Sequence, residues 1–315
     1  MFTIKQPSEI IFGKNSAKEF HFPERPLVIS SKGCKSRNWL EYLELSDPIL
    51  FDNVEPNPSM ETVNSIISKF DESEFDYIIG LGGGSSLDVA KFVGFKTLKK
   101  KIMIPTTFGS GSEVTRISVL KINGKKTSFH DDGIIPDIAI VDSNFLNNTP
   151  IEIIKNSAID ACAQCTEGYD SKNGNIYTKF LCYEAFKILE DAILTENYEK
   201  LALGSLIDGL GFGNCSTTLG HALSYVFSNE GFSHGHALSF TTTVAHKFNN
   251  SKFYARFLKI VKKLDFKPVK LKMDLNDATD LILTDKKHID NNPKLISSKD
   301  IILLLQKINC GNALN

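Results

Sequence analysis

Three of the chain's seven histidines, His221, His234 and His236, crowd into LGHALSYVFSNEGFSHGHALSF (219–240). Asp160 lies earlier, in SAIDACAQCTEGYD (157–170), with Gln164 one helical turn later on the same face. A carboxylate and two imidazoles from separate helices suffice for a divalent metal of the zinc or ferrous type; core histidines that bind nothing are the plain alternative. A second constellation is YIIGLGGGSSLDVAK (77–91), where a buried-strand pattern at Tyr77, Ile78 and Ile79 runs into Gly80, Gly82, Gly83 and Gly84. A helix beginning near Ser85 or Ser86 follows. Consecutive glycines admit positive φ and close approach of a ligand to the backbone. The helix start points unpaired N–H groups and the positive end of a dipole at the same spot, which suits a pyrophosphate. The spacing is not GxGxxG, so the ordinary dinucleotide fingerprint is not met, and a strand-to-helix turn that binds nothing is the alternative.

These residues need elements to hold them. The first half alternates strand patterns (27–31, 49–51, 77–79, 101–104) with helical ones (37–45, 59–70, and from the glycines to about Gly94). Such alternation predicts a parallel sheet with helices on both faces. Ser59 offers a helix cap, although no Glu or Gln stands three residues on to complete a capping box. From Pro150 the pattern turns helical: 151–169, 175–195, 198–223 and 234–248 show apolar periodicity with few strand-like runs. The expected division is an α/β domain over 1–149 and a helical domain over 150–315, shortened by a thin Lys- and Asp-rich tail.

At 315 residues, two domains are the natural expectation. A net charge of −1 gives nucleic-acid binding no support. No apolar run is long enough to cross a bilayer, the first ten residues do not read as a signal peptide, and six scattered cysteines fit reduced thiols in a cytoplasmic protein. Cys162 and Cys165 form a CxxC without a matching second pair and read as buried small hydrophobes. His21 and His288 read as surface residues.

The ordered set IIFGKNS (10–16), VEPNPS (54–59), GLGGGSSLDVAK (80–91), IPTTFGSGSEVT (104–115), PDIAIVD (136–142), the Asp160 helix and GHALSY…SHGHALSF closely resembles the iron-containing alcohol dehydrogenases. The resemblance implies a dehydroquinate-synthase-like fold, α/β plus all-α, that holds NAD or NADP and Fe²⁺ or Zn²⁺ between its domains. It also implies a homodimer acting on a small aldehyde or alcohol. Residue by residue, Gly82, Gly83, Gly84 and Ser85 match the pyrophosphate turn, and Asp88 is the helix aspartate beside it. Thr106, Thr107 and Ser110 match a loop along the cofactor, Asn57 a neighbouring turn, and Lys126 a lysine reaching the ribose. Asp160, His221 and His234 match metal ligands.

The departures carry information. Gln164 stands where the family usually has histidine, and offers only a carbonyl oxygen as a possible fourth ligand. Tyr225 stands where many members have a second histidine; it could bind substrate or relay a proton, or be a packed aromatic. Ser31 replaces an aspartate that would repel a 2′-phosphate, and Lys32 sits beside it, so NADPH is tolerated. Local detail in 123–142 and in the histidine segment resembles phosphonoacetaldehyde reductases. That implies reduction of a small anionic aldehyde, with an oxidase of the octulosonate type as the alternative. Arg116 is a candidate for pairing with such an anion, or else a structural ion pair. His236 is a candidate proton shuttle, although i and i+2 on a helix face apart. A degenerate, nucleotide-binding member without metal catalysis is the non-enzyme reading, motivated by Gln164 and the short C-terminus.

Overall fold

The computed structural model describes residues 1–71 and 73–314, and the chain divides into two compact units, 1–150 and 151–315. In the first, strands β1 (Glu9–Phe12), β2 (Pro26–Ser30), β3 (Ile49–Phe51), β4 (Tyr77–Gly82), β5 (Lys100–Pro105) and β8 (Ile138–Val141) form a six-stranded parallel sheet. Its order is β1-β8-β5-β4-β2-β3. The hairpin β6 (Ile117–Ile122) and β7 (Lys125–His130) stands apart, turning at Asn123-Gly124, where both residues have positive φ as a tight hairpin needs. Helices α1 (Ser16–Glu19), α2 (Gly33–Ser36), α3 (Trp39–Leu43), α4 (Met60–Lys69) and α5 (Gly84–Thr97) complete the unit.

Strand alternation builds two cores. Leu27, Ile29 and Ile78 pack with Val63 and Ile66 of α4 and Leu87 and Ala90 of α5. Val28, Tyr77, Ile79 and Leu81 pack on the other face with Trp39 and Leu43 of α3. Each such side chain contributes roughly 1.5–3 kcal/mol by leaving water. The helix expected over 37–45 is shorter, α3 alone, bounded by left-handed Asn38 (φ 54°) and Glu44 (φ 50°), and α2 precedes it as a separate turn. At α4, Ser59 Oγ accepts the Thr62 N–H at 3.2 Å. The missing capping-box acid comes from outside the helix, as Glu55 Oε1 accepts the Ser59 N–H at 2.9 Å.

The second unit is helical: α6 (Ile151–Asp170), α7 (Ile176–Thr195), α8 (Tyr198–Phe212), α9 (Leu219–Asn229), α10 (His234–Asn249), α11 (Tyr254–Leu264), α12 (Leu275–Leu283), α13 (Lys286–Asn291) and α14 (Ser298–Asn309). Two expectations need correction. The single helix read over 198–223 is two, because Ser216 takes φ of 66° and the Thr218 N–H is drawn to the Glu167 carboxylate at 2.9 Å. Asn291 holds the break open by donating to the carbonyls of Cys215 (2.9 Å) and Thr217 (3.0 Å). The C-terminal stretch is not a thin tail: Ile282, Ile301, Leu304, Leu305 and Ile308 are buried in one core with Leu223, Val226 and Phe240 of α9 and α10. Their apolar spacing is helical, but the abundant Lys and Asp between them hid it. Among the described residues no helix is long and apolar enough to cross a membrane.

Candidate metal and nucleotide sites

In the first unit, β4 ends at Gly82, whose φ of 151° would strain any other residue, and α5 starts at Gly84 with Gly83 as its cap. The helix therefore opens one residue earlier than the sequence suggested. Ser86 N–H already donates to Gly83 O at 2.9 Å, so it is the helix start at Gly84 and Ser85 that marks an anion position. The loop after β5 folds against it. Thr106 N–H donates to Gly82 O at 3.0 Å. A Cβ on Gly83 would stand 3.0 Å from Thr107 Oγ1, and one on Gly84 only 2.9 Å from Ser110 Cβ. Two motifs whose touching residues are 24 (Gly83 and Thr107) and 26 (Gly84 and Ser110) positions apart in sequence thus form one cradle, and only glycine backbone fits against the loop. Thr106 Oγ1 is buried there without a hydrogen-bond partner.

The other residues expected at the nucleotide are spread more widely. Asp88 is engaged elsewhere: its oxygens accept from Ser112 Oγ (2.6 Å) and Val119 N–H (3.0 Å), with Lys91 Nζ 3.4 Å away. It braces the loop and the hairpin from inside the core. Burial raises its carboxyl pKa against the opposing pull of Lys91, and burial lowers that of the completely buried Lys91. Ser85 lies in the first turn of α5, Ser31 directly after β2, and Asn57 in the exposed turn before α4 with φ of 53°. Lys126 faces Lys121 across the hairpin. Arg116 pairs through Nη1 with Asp132 at 3.0 Å. Near Ser31, a Cβ on Gly33 would lie 2.5 Å from Arg37 Nη1 and 3.7 Å from Ser31 Oγ, so the guanidinium is folded over the end of β2.

In the helical unit, α6, α9 and α10 bring Asp160, His221 and His234 together, with one potential ligand atom from each lying within 4.8 Å of the others. The Nε2 atoms of His221 and His234 stand 3.7 Å and 3.9 Å from Asp160 Oδ1. Each ring's other nitrogen is engaged: His221 Nδ1 meets Glu167 Oε2 at 2.8 Å and His234 Nδ1 meets Ser224 Oγ at 3.4 Å. Ser224 already donates its proton to the His221 carbonyl, so the network makes His234 Nδ1 the donor and leaves Nε2 its lone pair. With both rings neutral, as metal ligands must be, both Nε2 lone pairs face the carboxylate. Burial disfavours the His221 cation, but Glu167 and Asp160 outweigh it and push the pKa up to about 9, so at neutral pH the ring also carries a proton on Nε2, which an incoming metal ion must displace.

Gln164 donates from Nε2 to Asp160 Oδ1 at 3.0 Å, while its Oε1 is buried with no partner, as is His221 Nε2. Two buried polar atoms without partners beside a carboxylate are costly, and a cation that displaces the Nε2 proton would satisfy both. This donor set fits a zinc or ferrous ion. Tyr225 stacks on His234 at 6.1 Å between ring centroids, and burial raises its phenol pKa. His236 is not part of the group. Its Nε2 meets Lys267 O at 2.6 Å and its ring stacks on Phe266. Cys162 and Cys165 are free, buried thiols, and burial raises the pKa of each.

Two residues at the trio were missed. His288, read as a surface residue, is only 4% exposed; it stacks on His221 and meets Asp285 Oδ2 at 2.6 Å. The cue was Asp285 three residues earlier in TDKKH, a helix-capping position. Glu167 completes an i, i+4, i+7 stripe with Asp160 and Gln164, a spacing visible in the sequence.

The sequence matches two family descriptions, "Iron-containing alcohol dehydrogenase" over residues 7–143 and "Fe-containing alcohol dehydrogenase family, C-terminal" over 154–295. The chain belongs to the iron-containing alcohol dehydrogenase family. It is 31% identical over 210 residues to long-chain-alcohol dehydrogenase 1 of Geobacillus thermodenitrificans, covering 58% of this chain and 53% of that protein. It is 31% identical over 209 residues to 4-hydroxybutyrate dehydrogenase of Clostridium kluyveri, covering 57% and 56%. The chain thus spans about half the length of the curated relatives it matches. The crystal structure of an iron-containing alcohol dehydrogenase from Thermotoga maritima superposes with a TM-score of 0.87 over 98% of this chain and all of that one, at 23% identity. The fold is the dehydroquinate-synthase-like one.

Proposed function

We propose that this chain is a metal-assisted, NAD(P)H-dependent reductase of small aldehydes. The observation that carries the reading is the convergence of the His221 and His234 Nε2 atoms on Asp160 Oδ1, each ring turned that way by a partner on its other nitrogen. Asp160, His221 and His234 would hold Fe²⁺ or Zn²⁺, with Gln164 Oε1 as fourth donor. When bound, the ion supplies Lewis-acid polarisation of a carbonyl oxygen. In the α/β unit, the first turn of α5 and the loop through Thr107 and Ser110 would hold the pyrophosphate of the nucleotide, whose nicotinamide supplies the hydride. Tyr225, its hydroxyl kept protonated by burial, would donate a hydrogen bond to the substrate oxygen. His236 has no part in this scheme.

Cofactor and substrate can be narrowed further. Ser31 in place of an acid, with Lys32 beside it and the Arg37 guanidinium folded over Gly33, supports a 2′-phosphorylated nucleotide, NADPH in preference to NADH. A small anionic aldehyde is the proposed substrate class, with phosphonoacetaldehyde first to be assayed. It rests on the family detail in 123–142 and on a relative named for an anionic alcohol, 4-hydroxybutyrate. Arg116 would meet the anion only in competition with Asp132, which Lys5 also pairs.

Gln164 favours one second reading, a nucleotide-binding member that has lost its metal. NADPH and NADH oxidation with a panel of small aldehydes, before and after chelation and with Fe²⁺ or Zn²⁺ restored, separates the two. Turnover that disappears with the metal and returns with it is the expected result. Nucleotide binding without turnover under any metal would overturn the reductase.

A further inference from the structure

Glu167 is a carboxylate with no obvious reason to be where it is, since it is only 1% exposed and has no cationic Lys or Arg partner among its hydrogen bonds. Its Oε2 accepts from His221 Nδ1–H at 2.8 Å and from the Thr218 backbone N–H at 2.9 Å. Its Oε1 has no hydrogen-bond partner and is pressed against Gly220, where an added Cβ would fall 2.1 Å away. Thr218 and Gly220 lie at the entry to α9, and His221 follows directly. The carboxylate therefore ties down both the imidazole and the backbone that carries it.

A histidine binds a metal as the neutral imidazole, which has one N–H. When Nδ1–H is committed to Glu167, the lone pair is left on Nε2, the atom 3.7 Å from Asp160 Oδ1. Glu167 sits seven residues after Asp160 on α6, so a single helix supplies one ligand directly and orients another that belongs to a different helix. Resting on the metal reading above, we propose that Glu167 is a positioning residue. It fixes the tautomer and ring plane of His221 for the metal without touching substrate, as outer-shell carboxylates do for metal-bound histidines.

The test uses the full chain stripped of metal and titrated with Co²⁺ in competition with a chromophoric chelator, reading both affinity and the visible bands of the bound ion. Glu167→Ala removes the acceptor; Glu167→Gln keeps an oxygen that can accept both bonds but removes the charge. Expected are uptake of one Co²⁺ per chain by the parent, a fall of roughly 10–100-fold in affinity for Glu167→Ala, shifted bands, and an intermediate Glu167→Gln. A purely structural residue would leave the bands unmoved. Parent-like affinity and bands in both variants would overturn the proposal. If Glu167→Ala does not fold, Glu167→Gln decides alone: a drop with shifted bands supports it and parent-like behaviour refutes it. A parent that takes up no cobalt sinks the metal reading and this role together, an outcome distinct from a parent that binds while its variants bind equally.

Discussion

His246 ties the helices of the candidate metal site together, and acid should loosen that tie. The residue sits on α10, is 1% exposed, and donates from Nε2 to Thr166 Oγ1 of α6 at 2.8 Å, that hydroxyl giving its own proton to the Cys162 carbonyl. Phe257 meets its ring edge-on at 5.2 Å. The charged groups facing it are Glu167, which favours its cation weakly, and Asp170, whose Oδ2 stands 4.0 Å from Nδ1 and whose own pKa burial raises. Burial dominates and depresses the His246 pKa from 6.5 to about 4. A folded value below the unfolded one means the unfolded chain binds the proton first. This contribution to stability is therefore complete above pH 6.5, declines as pH falls, and is fully lost below about pH 4. At about 1.4 kcal/mol per pH unit, the loss amounts to about 3 kcal/mol. Chemical denaturation at pH 7.5, 6, 5 and 4, for the parent and for His246→Gln, isolates it from the carboxylates that titrate over the same range. Gln keeps a donor to Thr166 and cannot titrate. The variant should start lower at pH 7.5 and lose about 3 kcal/mol less than the parent on acidification. If the two pH profiles run parallel, His246 is not held neutral by burial and the argument fails.

Other perturbations follow from the same geometry. Gln164→His should tighten Co²⁺ binding by at least about tenfold, because imidazole replaces a weak carbonyl donor; unchanged affinity would place residue 164 outside the coordination sphere. Lys91→Met leaves the Asp88 and Glu113 carboxyls buried without their cation and should cost about 3 kcal/mol in denaturation. Ser31→Asp should shift nucleotide preference from NADPH toward NADH in fluorescence titrations, and equal loss of both would argue against a 2′-phosphate at that strand end. Gly84→Ala should weaken nucleotide binding, since its Cβ would stand 2.9 Å from Ser110 Cβ; nucleotide affinity equal to the parent's would show that the loop gives way.

Much of this molecule could be read from local chemistry. The run from Tyr77 to Lys91 announces strand, turn and helix through the hydrophobic strand and the glycines, and Asp160 with Gln164 follows from helical spacing. These are short-range properties: which residues alternate, which tolerate positive φ, and which share a turn. The sequence misleads where a distant group decides. The helix read over 198–223 passes over the turn-formers Gly213, Asn214, Ser216, Thr217 and Thr218, and the break there is fixed by Glu167 and Asn291, far away in the chain, which capture its backbone. Asp88 reads as a cofactor residue until the loop and hairpin close on both its oxygens.

By itself the sequence determines the alternation that makes a parallel sheet, the helical second half, the glycine cradle and the residue types able to hold a metal. Tertiary structure alone decides which of those residues meet. It engages His236 Nε2 with the Lys267 carbonyl, away from the metal trio, and pairs Arg116 with Asp132. It brings His288 against His221 and sets Glu167 behind that ring. The reason is physical: hydrophobic spacing fixes which face of a helix is buried, but polar partners depend on how distant elements pack, as Glu167 and His221 meet across 54 residues of chain.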